Sequence, residues 1–295
     1  DLDLKTWAAL DPRSGLKQTS REELIESSIR QIETLVSKAS EKPAGGKGDP
    51  NMDRFFLSPL LASMYRMHEA DAIPEATMRR WLARIRPAID YQLAEYGGNT
   101  NANWDTRLAG GYPNMDAAYV HIMGLAERLY GDARYGASAE EFVEAMQENV
   151  LPDGGVRYVG SNRGEGIDTN PAPVYTGVVI RFTARYLELT GSEKARALLR
   201  ALEPHYPRAW QFPGIPENAS APWWKHTNYT NRLGYAGVFE IIASVADSPR
   251  NRAYARRLIE LGRMQRDDAL AAVDFYEADG PVAEDPSVQG AFPDS

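Results

Sequence analysis

The chain has 295 residues and a formal net charge of −8, with a pI near 5.2. A hydrophobic fraction of 43% is enough for a sizeable core, while the acidic balance argues against a nucleic-acid or anionic-membrane surface, which needs basic excess. The absence of cysteine excludes disulfides, thiolate nucleophiles and thiolate metal sites, and no apolar run is long enough to span a bilayer.

In chain order, residues 1–17 read as an irregular arm. Ser20 and Glu23 have the spacing of a capping box, and Leu24, Ile25, Ile29, Ile32, Leu35 and Val36 follow at helical spacing. The Gly- and Lys-rich stretch 42–48 is a flexible loop. A second, mostly apolar helix covers 55–70 and carries His68. Pro74 suits the first turn of a third, which runs to Tyr96 and stops at Gly97 and Gly98.

From there a pattern repeats. A long polar, aromatic-rich loop leads into an apolar helix, and a more charged helix returns. The loops are 99–113, 152–171 and 203–227; the apolar helices are 114–130, 172–189 and 228–246; the returning helices are 138–150, 192–202 and 248–266. Asn51-Met52-Asp53 and Asn114-Met115-Asp116 open equivalent helices, and Val174-Tyr175-Thr176-Gly177-Val178 matches Gly234-Tyr235-Ala236-Gly237-Val238 sixty residues on. Alternating apolar and amphipathic helices at this period predict an all-α fold of helical hairpins around a centre, apolar helices inside and charged helices outside. Strands are few, the best being a loop hairpin at 155–159. The expected organisation is one domain over 1–295, with 274–295 a loop or the start of a further hairpin.

The stretch 222–235 concentrates hydrogen-bonding and stacking groups ahead of an apolar run: Trp223, Trp224, Lys225, His226, Asn228, Tyr229, Arg232 and Tyr235. Sugar rings stack on aromatic faces while their hydroxyls and carboxylates take directed hydrogen bonds, so this composition suits a glycan cleft. On a helix His226, Tyr229 and Arg232 share a face. Other apolar-helix entrances carry Asn101, Asn103, Trp104 and Arg107, then Tyr112 with Asn114, then Asn162, Arg163, Asn170 and Tyr175. His68, His121, Tyr119 and Tyr186 read as core or packing residues, and His205 as a loop residue. The pattern contains no metal site and calls for no cofactor.

The Asn-rich loop 99–107, the His-Thr-Asn-Tyr-Thr-Asn-Arg stretch and the Gly-Ala-Phe-Pro-Asp-Ser ending resemble the polysaccharide lyases built on an incomplete α/α toroid, the alginate and glucuronan lyases among them. The resemblance covers most of the chain from Asn51. It implies β-elimination on a uronic-acid polymer, with His226 and Tyr229 as acid–base groups, Arg232 tuning the phenol, Asn103 or Asn170 neutralising the carboxylate, and Tyr175 as an alternative catalytic Tyr. Asn101, Trp104, Arg107, Tyr112, Arg163, Trp223, Trp224, Lys225, Asn228 and Tyr235 would bind substrate. A basic cleft in an acidic protein is expected, with Glu22, Glu23, Glu140, Glu141, Glu144 and Glu193 outside. The start at Asp1 without Met fits a mature exported protein, secreted or periplasmic in a bacterium and monomeric, with an anionic polysaccharide as partner. Two alternatives stand beside it. One is a glycoside hydrolase on a toroid, using carboxylates such as Asp105, Asp116 and Asp168. The other is a non-catalytic glycan-binding helical repeat.

Overall fold

Four apolar runs long enough to be buried on every side alternate with runs that carry charge on one face, and this alternation sets the architecture. The structure is a computed structural model, and it describes residues 2–40, 50–96, 113–156, 173–205, 210–211, 215–216, 236–260, 262 and 266–276. The fold is all-α. Its helices are α1 (Leu2–Leu10), α2 (Gln18–Ser40), α3 (Pro50–Glu69), α4 (Glu75–Tyr96), α5 (Pro113–Tyr130), α6 (Ala133–Glu148), α7 (Pro173–Thr190), α8 (Glu193–Ala201), α9 (Ala236–Ala246), α10 (Pro249–Glu260) and α11 (Arg266–Tyr276). A two-stranded antiparallel ladder pairs Trp210 with Pro216 and Gln211 with Ile215, and a single bridge joins Val150 to Val156. Contacts divide the chain into two compact units, residues 1–99 with 121–139, and residues 100–120 with 140–295.

Each hairpin turns on one residue in the left-handed region. Asp71 (φ 49°), Gly131 (φ 65°), Gly191 (φ 71°) and Asp247 (φ 50°) end α3, α5, α7 and α9, at intervals of sixty, sixty and fifty-six residues. Gly131 N–H bonds the Glu127 carbonyl at 2.8 Å and Gly191 N–H that of Leu187 at 2.7 Å. Ala72 N–H reaches Met67 at 2.9 Å and Ser248 N–H reaches Ala243 at 2.9 Å, the longer Schellman bond. A Cβ on Gly131 or Gly191 would meet nothing within 4 Å, so conformation and not space selects glycine there. The three apolar helices α3, α5 and α7 each begin at proline, where the missing N–H costs nothing. The turns also adjust the sequence match between 174–178 and 234–238. Counted from Gly191 and Asp247 these segments sit four residues out of step in sequence.

Successive hairpins are joined by side-chain bonds at sequence separations of 45–50 residues. In the first unit Glu33 of α2 pairs with Arg80 of α4. Tyr130 donates to the Leu82 carbonyl at 2.9 Å, Tyr135 to Asp90 at 2.5 Å, and Arg86 reaches Asp132 at 3.3 Å. In the second unit Tyr186 donates to Glu140 at 2.7 Å and Lys194 to Glu144 at 2.7 Å. Arg200 donates to the Val245 carbonyl at 3.0 Å, and Glu203 accepts from Ser248 at 2.6 Å and Asn251 at 3.2 Å. Each charged helix thus holds the hairpin that follows it.

Two of the apolar helices are sealed along most of their length. Residues 113–126 of α5 and 236–243 of α9 are all buried. Ile32, Leu61, Met64, Trp81 and Ile85 fill the first unit; Tyr119, Phe142, Phe239 and Ile242 fill the second. Tyr119 and Tyr186 are core, as expected, at 0% and 1% exposure. Phe239 stacks on Tyr254 with centroids 5.3 Å apart. Within the second unit α9 packs against α7, α8, α10 and α11. Glu22, Glu23, Glu141, Glu144 and Glu193 are exposed.

Several expectations are corrected. Residues 2–10 are not an irregular arm but helix α1, packed on α2 and α3. Lys5 donates to Gln31 at 2.7 Å and Arg66 Nε to Asp3 at 3.2 Å. Arg21 bonds the carbonyls of Leu16 at 3.0 Å and Ala9 at 3.3 Å. Long-range partners, absent from any local pattern, stabilise this short helix. Helix α2 starts at Gln18, so Ser20 lies inside its first turn and is not the cap. Helix α6 starts at Ala133, five residues before the expected Ser138, because Asp132 caps it through Arg134 N–H at 3.2 Å. The last charged helix stops at Glu260, and α11 occupies 266–276, covering the first three residues of the loop expected from 274. His68 is exposed rather than core. The outer helices are not uniformly acidic, since Arg79, Arg80, Arg84, Arg86 and Arg256 are exposed too.

Asp132 accepts from Arg134 and lies beside Arg86, and these bonds hold its carboxyl down to about 2. A depressed carboxyl contributes stability above its unfolded value near 4, and loses it as the pH falls toward about 2. Asp132→Asn is therefore expected to unfold at lower denaturant at neutral pH and to show a shallower loss of stability between about pH 4 and 2. Urea titrations across that range check it.

Candidate functional site

A helix buried on all sides has no use for polar side chains unless they are paired or serve a ligand. The polar residues of the apolar helices therefore mark where chemistry is available. Of the residues assigned from sequence to lyase catalysis or substrate binding, only Tyr175 lies among the described residues. The others, at 101–112, 163–170 and 223–235, lie outside them, as do Asp105 and Asp168. Tyr175 is the third residue of α7 and is half-buried.

In the first unit Ser58 of α3 and His121 of α5 form a pair, Oγ to Nδ1 at 2.9 Å. Ser58 is 0% and His121 4% exposed, and Arg54, one turn before Ser58, is 1% exposed. A serine and an imidazole at this distance have the geometry of a nucleophile and its base. Sealed on α3 and α5, they have no open face for a substrate. Their bond satisfies two polar groups inside the core and fixes the rotation of the ring, so His121 is a packing residue, as its place in an apolar helix predicts.

In the second unit four buried polar residues lie in the first two turns of the apolar helices, and Thr183, His205, Ser248, Asn251 and Arg252 are buried elsewhere. Asn114 and Asp116 of α5 are 7% and 0% exposed, Thr176 of α7 is 1% and Glu240 of α9 is 1%. Asp116 and Thr176 each stand fifteen residues before their turn glycines, Gly131 and Gly191, so they occupy equivalent positions in successive repeats. Asp116 was a candidate hydrolase carboxylate; its burial is complete.

Tyr65, Tyr130 and Tyr135 are not suited to act as bases. Burial pushes the Tyr130 phenol far above its ordinary value, with Tyr135 adding to the effect. Burial, then the bond to Asp90, raises Tyr135 as well, and burial raises Tyr65. Each holds its proton, and Tyr130 and Tyr135 use theirs as structural donors. Near the end of α8, His205 is 7% exposed with Nδ1 3.6 Å from Asp153. Gly154 (φ 84°) lies so close to α8 that a Cβ would stand 2.9 Å from the Ala201 carbonyl and 3.0 Å from His205 N. The turn at 151–156 is therefore clamped onto the helix end, with Leu151 N–H bonding Gly155 at 2.7 Å. The hairpin expected at 155–159 is represented by the Val150–Val156 bridge, and 157–159 lie outside the described residues.

Among the described residues no group of three or more His, Asp and Glu could hold a metal, and no helix is long and apolar enough to cross a membrane. No protein-family model, no curated protein and no solved structure matches the chain. The sequence singled out Asn114 as a neighbour of Tyr112 and as a helix-opening residue, and gave Thr176 and Glu240 no role. The signal available for Asn114 was the paired openings Asn51-Met52-Asp53 and Asn114-Met115-Asp116.

Ser58→Ala removes the partner of a buried imidazole nitrogen, and an unmade buried bond costs about 1–3 kcal/mol. The variant is expected to lose stability in that range in denaturant titrations, without a change in helix content by circular dichroism.

Proposed function

We propose that the chain is a polysaccharide lyase that cleaves a uronic-acid polymer by β-elimination, on helical hairpins arranged as an incomplete α/α toroid. The observation that carries this reading is the repeat. The polar, aromatic stretches singled out in the sequence run into the N-terminal ends of α5, α7 and α9, the ends opposite the hairpin turns. The bonds from each charged helix to the next hairpin, recurring at 45–50 residues within each unit, support a regular progression of hairpins. Helix N-termini favour anionic groups, which suits a carboxylated sugar.

In this reading Asn103 or Asn170 hydrogen-bonds the C5 carboxylate. The C5 proton is too weakly acidic until that charge is stabilised, so stabilising the enolate is the main catalytic task. Arg232 favours the phenolate of Tyr229, which takes the C5 proton; His226 assists, and a phenol or imidazole protonates the departing O4. Trp104, Trp223 and Trp224 stack on the sugar faces, and Arg107, Arg163 and Lys225 attract the polymer. The reading includes an exported, monomeric protein without a cofactor.

Incubation with mannuronan, guluronan and glucuronan tests it. Elimination produces a conjugated double bond that absorbs in the near ultraviolet. Reducing ends without that absorbance would make the protein a hydrolase, and binding without cleavage a glycan-binding repeat. Tyr229→Phe and His226→Ala are each expected to lower turnover at least about 100-fold with the fold retained. The rate on the acid polymer is expected to fall as salt rises, and to fall when its carboxyls are esterified.

A further inference from the structure

Helix α1 is attached to the first unit chiefly through polar groups. Of its apolar side chains only Leu2 and Ala9 are buried, with Leu4, Trp7 and Leu10 half-buried, whereas α3 buries Leu57, Leu60, Leu61, Ala62, Met64 and Met67. Toward α2, Lys5 Nζ donates to Gln31 at 2.7 Å and to Ser27 at 3.1 Å. Toward α3, Thr6 donates to Ser63 at 3.3 Å and Asp3 accepts from Arg66 at 3.2 Å. Such bonds exchange for bonds to water when a contact opens, so each holds less firmly than a buried apolar side chain. A helix of nine residues also has little stability of its own.

The connection to α2 has the form of a latched hinge. Asp11 caps the short turn Pro12–Ser14 by accepting from Arg13 N–H at 2.9 Å. Gly15 (φ 68°) then redirects the chain where a Cβ would meet nothing within 4 Å. Arg21, in the first turn of α2, closes the hinge. Its Nε donates to the Leu16 carbonyl at 3.0 Å and its Nη1 to the Ala9 carbonyl at 3.3 Å. Its Nη2 donates to the Pro12 carbonyl at 3.3 Å and to Ser14 Oγ at 3.2 Å. One planar guanidinium thus ties the last turn of α1, the hinge and α2 together, a span that the single nitrogen of a lysine cannot cover.

We propose that α1 is a strap latched by Arg21, which opens from α2 and α3 as one piece while the helices beneath it stay folded, uncovering Ser27, Gln31, Ser63 and Arg66. Stability is uneven within a fold, and a segment with few buried apolar contacts opens at lower free energy than the core it covers. The latch acts on the hinge and on the end of α1 and makes no bond to α3, so weakening it eases the opening without disturbing the core of the unit.

Amide hydrogen exchange of the full chain at neutral pH, read residue by residue, compares residues 6–10 with 57–67 of α3 and 78–89 of α4. In wild type the α1 amides are expected to exchange at least about 10-fold faster than those of α3 and α4. Arg21→Ala is expected to accelerate α1 by about a further 10-fold and to leave α3 and α4 unchanged. Arg21→Lys, which keeps the charge but not the four bonds, is expected to resemble Arg21→Ala. Lys5→Met, distant from the hinge, is expected to accelerate α1 alone, and it decides the strap by itself if Arg21→Ala does not fold. Wild-type α1 exchanging at the rate of α3 and α4 would overturn the strap. Equal acceleration of all three helices in the Arg21 and Lys5 variants would overturn it too, assigning both residues to the stability of the whole unit. An α1 rate unchanged by Arg21→Ala, or restored to wild type by Arg21→Lys, would overturn the latch.

Discussion

An apolar helix such as α9, with every residue from 236 to 243 buried, has no stable existence outside the assembly that covers it. Each hairpin must therefore be held against its neighbour, and the bonds spaced 45–50 residues apart do this. Tyr135 to Asp90, Tyr186 to Glu140 and Ser248 to Glu203 differ in chemistry and in position, but each joins a charged helix or its end to the hairpin that follows. Stability in such an array is approximately the sum of each repeat and its interfaces with its neighbours. The left-handed residues Asp71, Gly131, Gly191 and Asp247 set where each hairpin reverses, and so bring those partners into register.

That arrangement divides the molecule by chemistry. At the turns, charges are satisfied in pairs close to water: Asp132 with Arg86 and Arg134, Lys194 with Glu144. Exposed pairs of this kind contribute little each and less at high salt. At the opposite ends of the apolar helices, Asn114, Asp116, Thr176 and Glu240 are removed from water, where each polar atom must be matched or carries a cost. The phenols of Tyr130 and Tyr135, held protonated by burial, belong to the first class, because their work is to tie α4 to the hairpin after it.

Much of this was legible in the residues. Tyr119, Tyr186 and His121 lie at helical spacing among apolar neighbours, and periodicity alone places them inside. The apolar and charged helices alternate as their composition requires. What escaped was set by contacts between distant segments. Residues 2–10 carry only a weak amphipathic pattern, and they are helical because Lys5, Asp3 and Thr6 find Gln31, Arg66 and Ser63. Helix α6 begins early because Asp132 is both a cap and an ion-pair partner, where sequence favoured the later Ser138. His68 lies in an apolar stretch but one turn too near the end of α3 to be covered.

Hydrophobic period, turn residues and composition suffice for an all-α chain of hairpins repeating at about sixty residues, since those signals are local and each is read within one or two helical turns. Which partner a buried polar group finds is a different kind of fact. Asn251 Nδ2 donates to Glu203 forty-eight positions away, while the amide oxygens of Asn114 and Asn251 are both buried without a donor among the described residues. No local pattern announces the bond to Glu203, because the partner is brought by the packing of another repeat and not by the neighbouring residues.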